Sequence, residues 1–293
     1  MSSTVRPRRS VLYMPGSNAR ALEKGRSLPA DGLILDLEDA VSPDAKRDGR
    51  QEIAKVLQER DAYAWRELVV RVNGLDTPWG HADLVAMARA GADAILLPKV
   101  EGADTVRRAL HVLDLAGAPA DLAIWCMIET PRGILRVEEI ADTERVQCLV
   151  MGTSDLTKDL HAHHTPSRLP MLASLAISLL AARAARIAIL DGVHLDLDDE
   201  QGFAEACRQG RELGFEGKTL IHPKQIAPAN AAFGPSPAEV DWARRIIAAY
   251  DEARAAGKGV VVVDGKLVEN LHVLEARRVV GLAEMIEAVP GRQ

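Results

Sequence analysis

The chain is poor in the features that mark nucleic-acid-binding and membrane proteins. Aromatic residues make up only 3% of its 293 residues, which leaves few side chains to stack on single-stranded bases. The formal net charge of -6 argues against a general nucleic-acid surface. No apolar run approaches the length of a membrane span. We therefore expect neither a nucleic acid nor a membrane as partner.

Cysteine is scarce as well. The three cysteines, Cys126, Cys148 and Cys207, include no CxxC pair, and two of them fall within predicted buried strands. A sparse and odd number predicts free thiols in a reducing compartment rather than a disulfide framework. The first ten residues are basic, but no apolar segment follows them. We therefore expect no secretory signal and a cytoplasmic protein.

Several common functional motifs are missing. No GxGxxG follows the first predicted strand, and the chain has neither a P-loop nor a G-x-S-x-G elbow. The remaining composition, 47% hydrophobic and 27% charged, is that of an ordinary globular protein with a sizeable core. The pattern of strands and the polar residues that follow them therefore carry most of the information on function.

One central stretch organises the prediction. Its apolar runs Leu122–Ile128 and Cys148–Met151 indicate short buried strands, and the amphipathic segment Ile134–Ala141 between them is long enough for a crossover helix. The strands of such a βαβ unit lie parallel. Turns holding Glu129 and Asp155 follow the two strands. Both carboxylates should therefore lie at the C-terminal edge of the sheet, where active sites of parallel α/β proteins are found.

The same pattern extends along most of the chain. Six more apolar runs predict strands, namely Ser10–Met14, Gly32–Leu37, Leu68–Val72, Ala94–Leu97, Ile187–Leu190 and Lys218–Ile221. Helical periodicity between the strands covers Ala45–Glu59, His81–Ala90, Ala103–Leu115, Leu172–Ala184 and Phe203–Leu213. Eight strands alternating with helices predict an α/β fold, a (β/α)8 TIM barrel, over residues 1–226. A doubly wound open sheet is the competing fold, and the missing GxGxxG disfavours its dinucleotide-binding form.

Residues 227–293 are surplus to the barrel. They predict a helical and strand extension, with a helix over Pro237–Ala256, a strand over Val260–Val263, a tight turn at Asp264-Gly265 and a final helix over His272–Glu287. We expect this C-terminal extension to pack on the barrel, to cover its mouth as a lid, or to reach a neighbouring subunit.

Glu129 and Asp155 are the first candidate site residues. Both could cap helices, because acids are favoured before a helix start, although Glu129 before Thr130-Pro131 is the poorer cap. Their position at the ends of adjacent strands instead favours a seat for a hard divalent cation. Mg²⁺ typically takes one or two protein carboxylates and keeps its other positions for water and substrate.

Arg71 lies within an apolar strand, and a buried charge is costly unless it is paired. Two uses are compatible with this position, a salt bridge to an acid such as Glu38 and a bidentate clamp for a substrate carboxylate. Asp36, Glu38 and Asp39 follow the second strand. They form either an acid cluster at a helix start or a second shell for a metal-bound water or for Arg71.

Lysine and histidine give weaker signals. Lys24 and Lys99 are expected on the surface, although Lys99 follows a strand end and could reach the site. Nothing near either lysine marks a Schiff-base residue. The HAHH run at residues 161–164 matches no metal-binding spacing and predicts a solvated loop. His222, just after the eighth strand, is better placed, because barrels often bind phosphate or a cofactor there.

Seven segments together resemble the citrate lyase β-subunit-like family of the HpcH/HpaI aldolase superfamily, which includes malyl-CoA, citramalyl-CoA and β-methylmalyl-CoA lyases. The segments are RSVLYMPGSNARALEKG, DGLILDLEDAVSPDAK, VVRVNGLDTPWG, AILLPKV, MIETPRGIL, GTSDLTKDL and KTLIHPKQI. The resemblance covers about Arg9–Leu282. It implies a (β/α)8 barrel, Mg²⁺ as cofactor, a homo-oligomer such as a trimer or hexamer, and reversible C–C cleavage of a 3-hydroxyacyl-CoA into an acyl-CoA and a 2-oxo acid.

The resemblance also implies roles for individual residues. Glu129 and Asp155 match the family's metal carboxylates, and Arg71 matches its arginine for the substrate carboxylate. The acidic pair near the metal waters corresponds to Glu38 and Asp39. The positions near the CoA moiety correspond to Lys24, Ile221 and His222.

The C-terminal motif departs from the family pattern. The family reads DGKMVDAP, and its second Asp is the proposed acid/base, which reaches the site of an adjacent subunit. Here the stretch is DGKLVENLHV, so Glu269 stands at that position and Asn270-Leu271 replace the small residue and proline. Two alternatives to the lyase remain, a thioesterase that hydrolyses acyl-CoA at the same metal site and a β subunit that acts only within a citrate lyase-type complex.

Overall fold

Eight short segments of the chain form strands that hydrogen-bond in chain order and close into a barrel. The computed structural model describes residues 6–289. The first strand pairs in parallel with both the second and the eighth, which closes the sheet and confirms the predicted TIM barrel over the open doubly wound sheet. The barrel strands are β1 (Ser10–Pro15), β2 (Gly32–Asp36), β3 (Glu67–Arg71), β4 (Ala94–Leu97), β5 (Ala123–Ile128), β6 (Val146–Met151), β7 (Ala188–Asp191) and β8 (Gly217–Leu220).

Helices alternate with the strands and continue beyond them. They are α1 (Ala19–Gly25), α2 (Lys46–Gln58), α3 (Gly80–Met87), α4 (Ala103–Leu115), α5 (Pro131–Leu135), α6 (Val137–Ala141), α7 (Thr153–Asp159), α8 (Leu172–Ala185), α9 (Glu200–Leu213), α10 (Ile226–Phe233), α11 (Pro237–Ala255) and α12 (Asn270–Glu287). No helix in the described range 6–289 is long and apolar enough to cross a bilayer.

The crossover after β5 is split into two helices, whereas the sequence predicts one. The Thr130 hydroxyl caps α5 by accepting a hydrogen bond from the Gly133 amide at 3.0 Å. Arg136, with φ -121° and ψ 16°, leaves helical geometry and separates α5 from α6. The second predicted turn is also helical, because Asp155 lies in the first turn of α7.

Side-chain alternation along the strands places polar groups at one end of the barrel. Apolar side chains from all strands but β8 form the core cluster inside the barrel, with Trp125 among the largest fully buried ones. Because successive strand residues face opposite sides, a residue two positions after a core side chain also points inward. The core members Ile34, Val69 and Met127 are followed at this spacing by Asp36, Arg71 and Glu129. The C-terminal end of the barrel is therefore charged.

The chain forms two compact units, Arg8–Ala232 and a second that comprises residues 6–7 and 233–289 of the described chain. In the second unit α11 packs on α12, and residues 261–268 form an antiparallel hairpin of β9 (Val261–Val263) and β10 (Lys266–Val268). The turn residues Asp264 and Gly265 both have positive φ, 48° and 75°, as the tight turn predicted there requires. The sequence prediction missed β10, because three residues are too few to show an alternating pattern.

Candidate active site

Charged side chains from the ends of five neighbouring strands meet at the C-terminal end of the barrel. We call this set the mouth cluster, and it consists of Asp36, Glu38, Asp39, Arg71, Lys99, Glu129 and Asp155. All seven were predicted from the sequence, six of them as site residues and Lys99 as a side chain that could reach the site. The structure brings them together through direct contacts.

Arg71 is the most heavily paired member of the cluster. Its Nε and Nη2 each donate to one carboxylate oxygen of Asp36, both at 2.7 Å, which is the bidentate geometry that a guanidinium fork favours. Its Nη1 lies 2.7 Å from Glu38 Oε2 and 3.5 Å from Asp39 Oδ2. The predicted salt bridge to a barrel acid is therefore present. Among these three acids Asp39 is the most exposed, with 64% of its side chain accessible.

Lys99 links three carboxylates of the cluster. Its backbone amide donates to Glu129 Oε1 at 2.7 Å, while its ammonium donates to Glu38 Oε1 at 2.9 Å and lies 3.8 Å from Asp155 Oδ2. The residue adopts a left-handed backbone conformation, with φ of 47°. This is uncommon for a side chain other than glycine, asparagine or aspartate. Lys99 therefore contacts both predicted metal carboxylates, Glu129 through its backbone amide and Asp155 through its ammonium.

Glu129 is held in a tight and dry position. It is 2% exposed, and burial raises the pKa of its carboxyl group to about 7, although the Lys99 amide opposes that shift. Gly152, at the end of β6, faces it closely. A Cβ atom at position 152 would lie 2.3 Å from Glu129 Cβ, so only glycine leaves room for this carboxylate.

The charge of the mouth cluster is unbalanced. Within the described chain it holds five carboxyl groups against two cations. Burial raises the pKa of Glu38, against the opposing effects of Arg71 and Lys99. The buried Oε2 atom of Glu38 accepts no hydrogen bond from any described residue, despite its ion pair with Arg71. A further positive charge among these carboxylates would lower the electrostatic energy of the mouth cluster.

The donor set fits a hard divalent cation with few protein ligands. Among residues 6–289, no group of three or more Asp, Glu, His or Cys side chains forms a metal site. Mg²⁺ does not need such a cage, because it commonly takes one or two carboxylates and completes its octahedron with water and substrate. The excess of carboxylates and the Lys99 ammonium, which lies between Glu38 and Asp155, are consistent with a cation site.

The other predicted site residues lie apart from these contacts. Lys24 is exposed in the last turn of α1, and Ile221 is 37% exposed after β8. His222 is exposed, and its Nδ1 accepts a hydrogen bond from the Lys224 amide at 3.1 Å. Glu269 belongs to the second unit, where it precedes α12 and its amide donates to His272 Nδ1 at 3.0 Å.

Two residues at the barrel mouth were not predicted. The ring of Tyr13 on β1 lies under Arg71, with 4.8 Å between the guanidinium carbon and the ring centroid. The Tyr13 hydroxyl donates to Met127 Sδ at 3.6 Å, and Arg71 Nη1 also approaches that sulfur, at 3.7 Å. Strand alternation places both side chains inside the barrel, which is the signal that could have found them.

A second group of charges is buried between the sheet and its outer helices. We call it the β7–β8 ion cluster, consisting of Arg168, Asp191 and Lys218. Asp191 Oδ2 accepts hydrogen bonds from Lys218 Nζ at 2.8 Å and from Arg168 Nη1 at 2.5 Å. Although burial opposes it, the two cations hold the pKa of Asp191 below its ordinary value. A cavity of about 340 Å³ beside this cluster is bordered by His163 and His164 of the exposed HAHH loop.

The fold and this site define a (β/α)8 barrel with an acid-rich C-terminal mouth. Residues 9–223 match the family described as HpcH/HpaI aldolase/citrate lyase. The chain belongs to that family, as the resemblance in its motifs implied.

Relatives of known name cover almost the whole chain. A (3S)-malyl-CoA thioesterase of Cereibacter sphaeroides is 51% identical over 98% of this chain and 99% of its own length. The citrate lyase subunit beta of Escherichia coli is 37% identical over 96% of this chain and 94% of its own. A crystal structure of Mycobacterium tuberculosis CitE in complex with magnesium, acetoacetate and coenzyme A is similar with a TM-score of 0.76. The two sequences are 28% identical, and the match covers 95% of this chain and 98% of the CitE chain.

Proposed function

We propose that the chain is a Mg²⁺-dependent enzyme that acts on the CoA thioester of a 3-hydroxy dicarboxylic acid such as malyl-CoA, and that it hydrolyses the thioester. The single observation that carries the proposal is the mouth cluster, where Arg71 and five carboxyl groups meet at the C-terminal end of the barrel. The 51% identical relative is named (3S)-malyl-CoA thioesterase, which supports this substrate class and hydrolysis. The barrel carries every residue that the family resemblance assigns to metal and carboxylate binding, namely Glu129, Asp155 and Arg71.

Arg71 would bind the free carboxylate of the substrate. Asp36 holds its Nε and Nη2 edge, which fixes the plane of the guanidinium. The Nη1 group pairs with Glu38 at 2.7 Å and makes a longer contact, 3.5 Å, to Asp39, whose side chain is 64% exposed. A substrate carboxylate can replace Asp39 at this edge without breaking the Asp36 fork.

Glu129 and Asp155 would hold the magnesium ion. Bound there, Mg²⁺ would supply charge stabilisation to the substrate oxygen that becomes more negative during the reaction. The Mycobacterium tuberculosis CitE crystals that contain magnesium support this cofactor. Asp36, Glu38 and Asp39 would orient Arg71 and the surrounding water.

The CoA moiety and the acid/base group are assigned by family resemblance. Lys24, Ile221 and His222 would contact CoA, and their exposure leaves them accessible to a large ligand. Glu269 would act as acid/base at the site of an adjacent subunit of a homo-oligomer, a trimer or hexamer. In that arrangement residues 1–226 supply the barrel and residues 227–293 the extension that reaches the neighbour.

The second candidate function is C–C cleavage of the same thioester. The 37% identical relative is named citrate lyase subunit beta, and the family description includes aldolases, which favours this reaction. In cleavage, a base removes the proton of the 3-hydroxyl group, the Cα–Cβ bond breaks to release a 2-oxo acid, and the remaining thioester enolate takes up a proton to give the acyl-CoA. In hydrolysis, water adds to the thioester carbonyl and CoA thiol leaves.

Product analysis separates the two reactions. The purified chain is incubated with (3S)-malyl-CoA and Mg²⁺, and the products are identified by mass. Hydrolysis yields malate and free CoA thiol, whereas cleavage yields glyoxylate, trapped with phenylhydrazine, and acetyl-CoA. We expect malate and free thiol. Glyoxylate and acetyl-CoA would establish the lyase instead, and no turnover without partner proteins would favour a subunit of a citrate lyase-type complex.

A further inference from the structure

We propose that Lys99 is a built-in counter-cation of the mouth cluster, which neutralises Glu38 and Asp155 when no divalent cation is bound and competes with that cation for them. The inference rests on the proposed function, because it assumes that the cluster binds Mg²⁺. It assigns Lys99 a role in setting metal affinity, separate from substrate binding and from proton transfer.

The position of the ammonium carries the inference. Lys99 Nζ lies 2.9 Å from Glu38 Oε1 and 3.8 Å from Asp155 Oδ2, which places one positive charge between two carboxylates. A metal ion bound by Asp155 near Glu38 would compete with that charge for the same oxygens. Because like charges a few ångströms apart repel strongly, the ammonium must withdraw when the ion arrives.

Lys99 is also built so that its side chain can withdraw while its backbone stays. The backbone amide donates to Glu129 Oε1 at 2.7 Å, and that bond does not involve the side chain. The side chain is 49% exposed, so solvent borders it and the side chain can move outward. A Lys99→Met substitution therefore removes the charge and leaves the hydrogen bond to Glu129 in place.

The left-handed backbone at position 99 guides the choice of variants. Methionine and glutamine are unbranched at Cβ like lysine, so they bear the same strain at φ of 47° and change only the side-chain end. Lys99→Arg retains the positive charge. Lys158→Met is a matched control, because Lys158 is exposed in the last turn of α7, the helix that carries Asp155, and has the same charge change.

The test is a Mn²⁺ titration of EDTA-stripped protein, in which electron paramagnetic resonance measures the free ion. Removal of one positive charge close to the cation, in a half-exposed site, should tighten Mn²⁺ binding by about tenfold in Lys99→Met. Lys99→Arg and Lys158→Met should bind as wild type does. The melting temperature of stripped Lys99→Met should fall by a few degrees, since Glu38 and Asp155 lose their partner, and saturating Mn²⁺ should raise it more than in wild type.

The outcomes separate this inference from the proposed function. Should wild type bind Mn²⁺ while Lys99→Met binds it equally or more weakly, the counter-cation role is wrong and the metal site stands. Should folded wild type bind no Mn²⁺ at millimolar concentration, both the metal site and the role of Lys99 are wrong. Lys99→Gln repeats the titration with a second neutral side chain and must give the same ordering as Lys99→Met.

Discussion

The two ion clusters of the barrel differ in charge balance and exposure. The β7–β8 ion cluster surrounds one carboxylate, fully buried Asp191, with two cations, and Lys218 is only 1% exposed. The mouth cluster has five carboxyl groups for two cations, and Asp155 and Lys99 in it are 33% and 49% exposed. The two cations accordingly hold the pKa of Asp191 below its ordinary value against the effect of burial, whereas burial raises the pKa values of Glu38 and Glu129 despite nearby cations.

The difference is that between a fully paired ion cluster and one with surplus carboxylates, which is the arrangement we propose as a binding site. A buried carboxylate that is fully paired is ionised and stable, and removal of its partners is costly. In the mouth cluster, by contrast, burial disfavours the charged forms of Glu38 and Glu129, whose pKa values are raised. Perturbed ionisable groups of this second kind concentrate at functional sites. Variants in the mouth cluster should therefore lose turnover, and variants in the β7–β8 ion cluster should lose stability.

The largest expected effect is on catalysis, from Glu129→Gln. This change removes a negative charge from the proposed cation seat at nearly constant volume, so turnover of malyl-CoA should fall by about 10³-fold or more. The melting temperature should not fall, because burial disfavours the charged carboxylate. Glu138→Gln, at an exposed position on α6, is the control and should retain wild-type turnover. A Glu129→Gln rate within tenfold of wild type would remove this residue from the mechanism.

The next effect is on stability, from Asp191→Ala. It leaves the Lys218 ammonium buried without a carboxylate, so the free energy of unfolding should fall by about 3–5 kcal/mol in urea denaturation. The double variant Asp191→Ala/Lys218→Met should recover part of this loss, because it removes the uncompensated charge. A loss below about 1 kcal/mol would mean that the β7–β8 ion cluster does not stabilise the fold.

The pH dependence of stability should differ between Glu129 and Asp191. Glu129 has a folded pKa of about 7 against an ordinary value of 4.5, so the folded state keeps a proton that the unfolded state releases between these values. The free energy of unfolding of the metal-free protein should therefore fall by up to about 3 kcal/mol relative to Glu129→Gln as pH rises through that window.

Asp191 has a lowered folded pKa, so its contribution to the free energy of unfolding is present above its ordinary pKa of 3.8 and is lost as pH falls below it. Urea unfolding from pH 3 to pH 8 measures how the free energy of unfolding depends on pH for both residues. If the difference in this free energy between wild type and Glu129→Gln does not change with pH, the prediction for Glu129 is wrong.

The smallest expected effect comes from Gly152→Ala. The added methyl group would meet the Glu129 side chain and displace its carboxylate, which should lower turnover by about 10- to 100-fold. Gly281→Ala is a control on a helix where an added Cβ meets no atom within 4 Å, and it should leave turnover unchanged. Wild-type turnover in Gly152→Ala would show that the position of Glu129 is not critical.

The sequence predicts the barrel well because each strand is an apolar run that ends at a polar turn. The Ala94–Leu97 strand and the Ala103–Leu115 helix have the predicted bounds, and the organising segment with Glu129 and Asp155 forms the expected parallel pair. The acids were identified because they follow predicted strands, and Arg71 because it is a charge within an apolar strand. Local patterns of this kind reflect which side chains are buried, so the elements predicted from them agree with the folded structure.

The remaining features depend on tertiary contacts that no local pattern encodes. The split between α5 and α6 depends on the backbone at Arg136, and the link through Lys99 depends on its left-handed conformation. The β7–β8 ion cluster joins residues from position 168 to position 218 and has no motif. The surplus of charge at the mouth likewise emerges only when the five strand ends meet.

The most direct test of the central claim is the consumption of (3S)-malyl-CoA by EDTA-stripped protein over a range of Mg²⁺ concentrations, followed by chromatography so that hydrolysis and cleavage both count. The account predicts no turnover without Mg²⁺, a saturable recovery in wild type, and no recovery in Asp155→Asn at any concentration. Full turnover in the stripped protein, or a wild-type Mg²⁺ curve in Asp155→Asn, would contradict it.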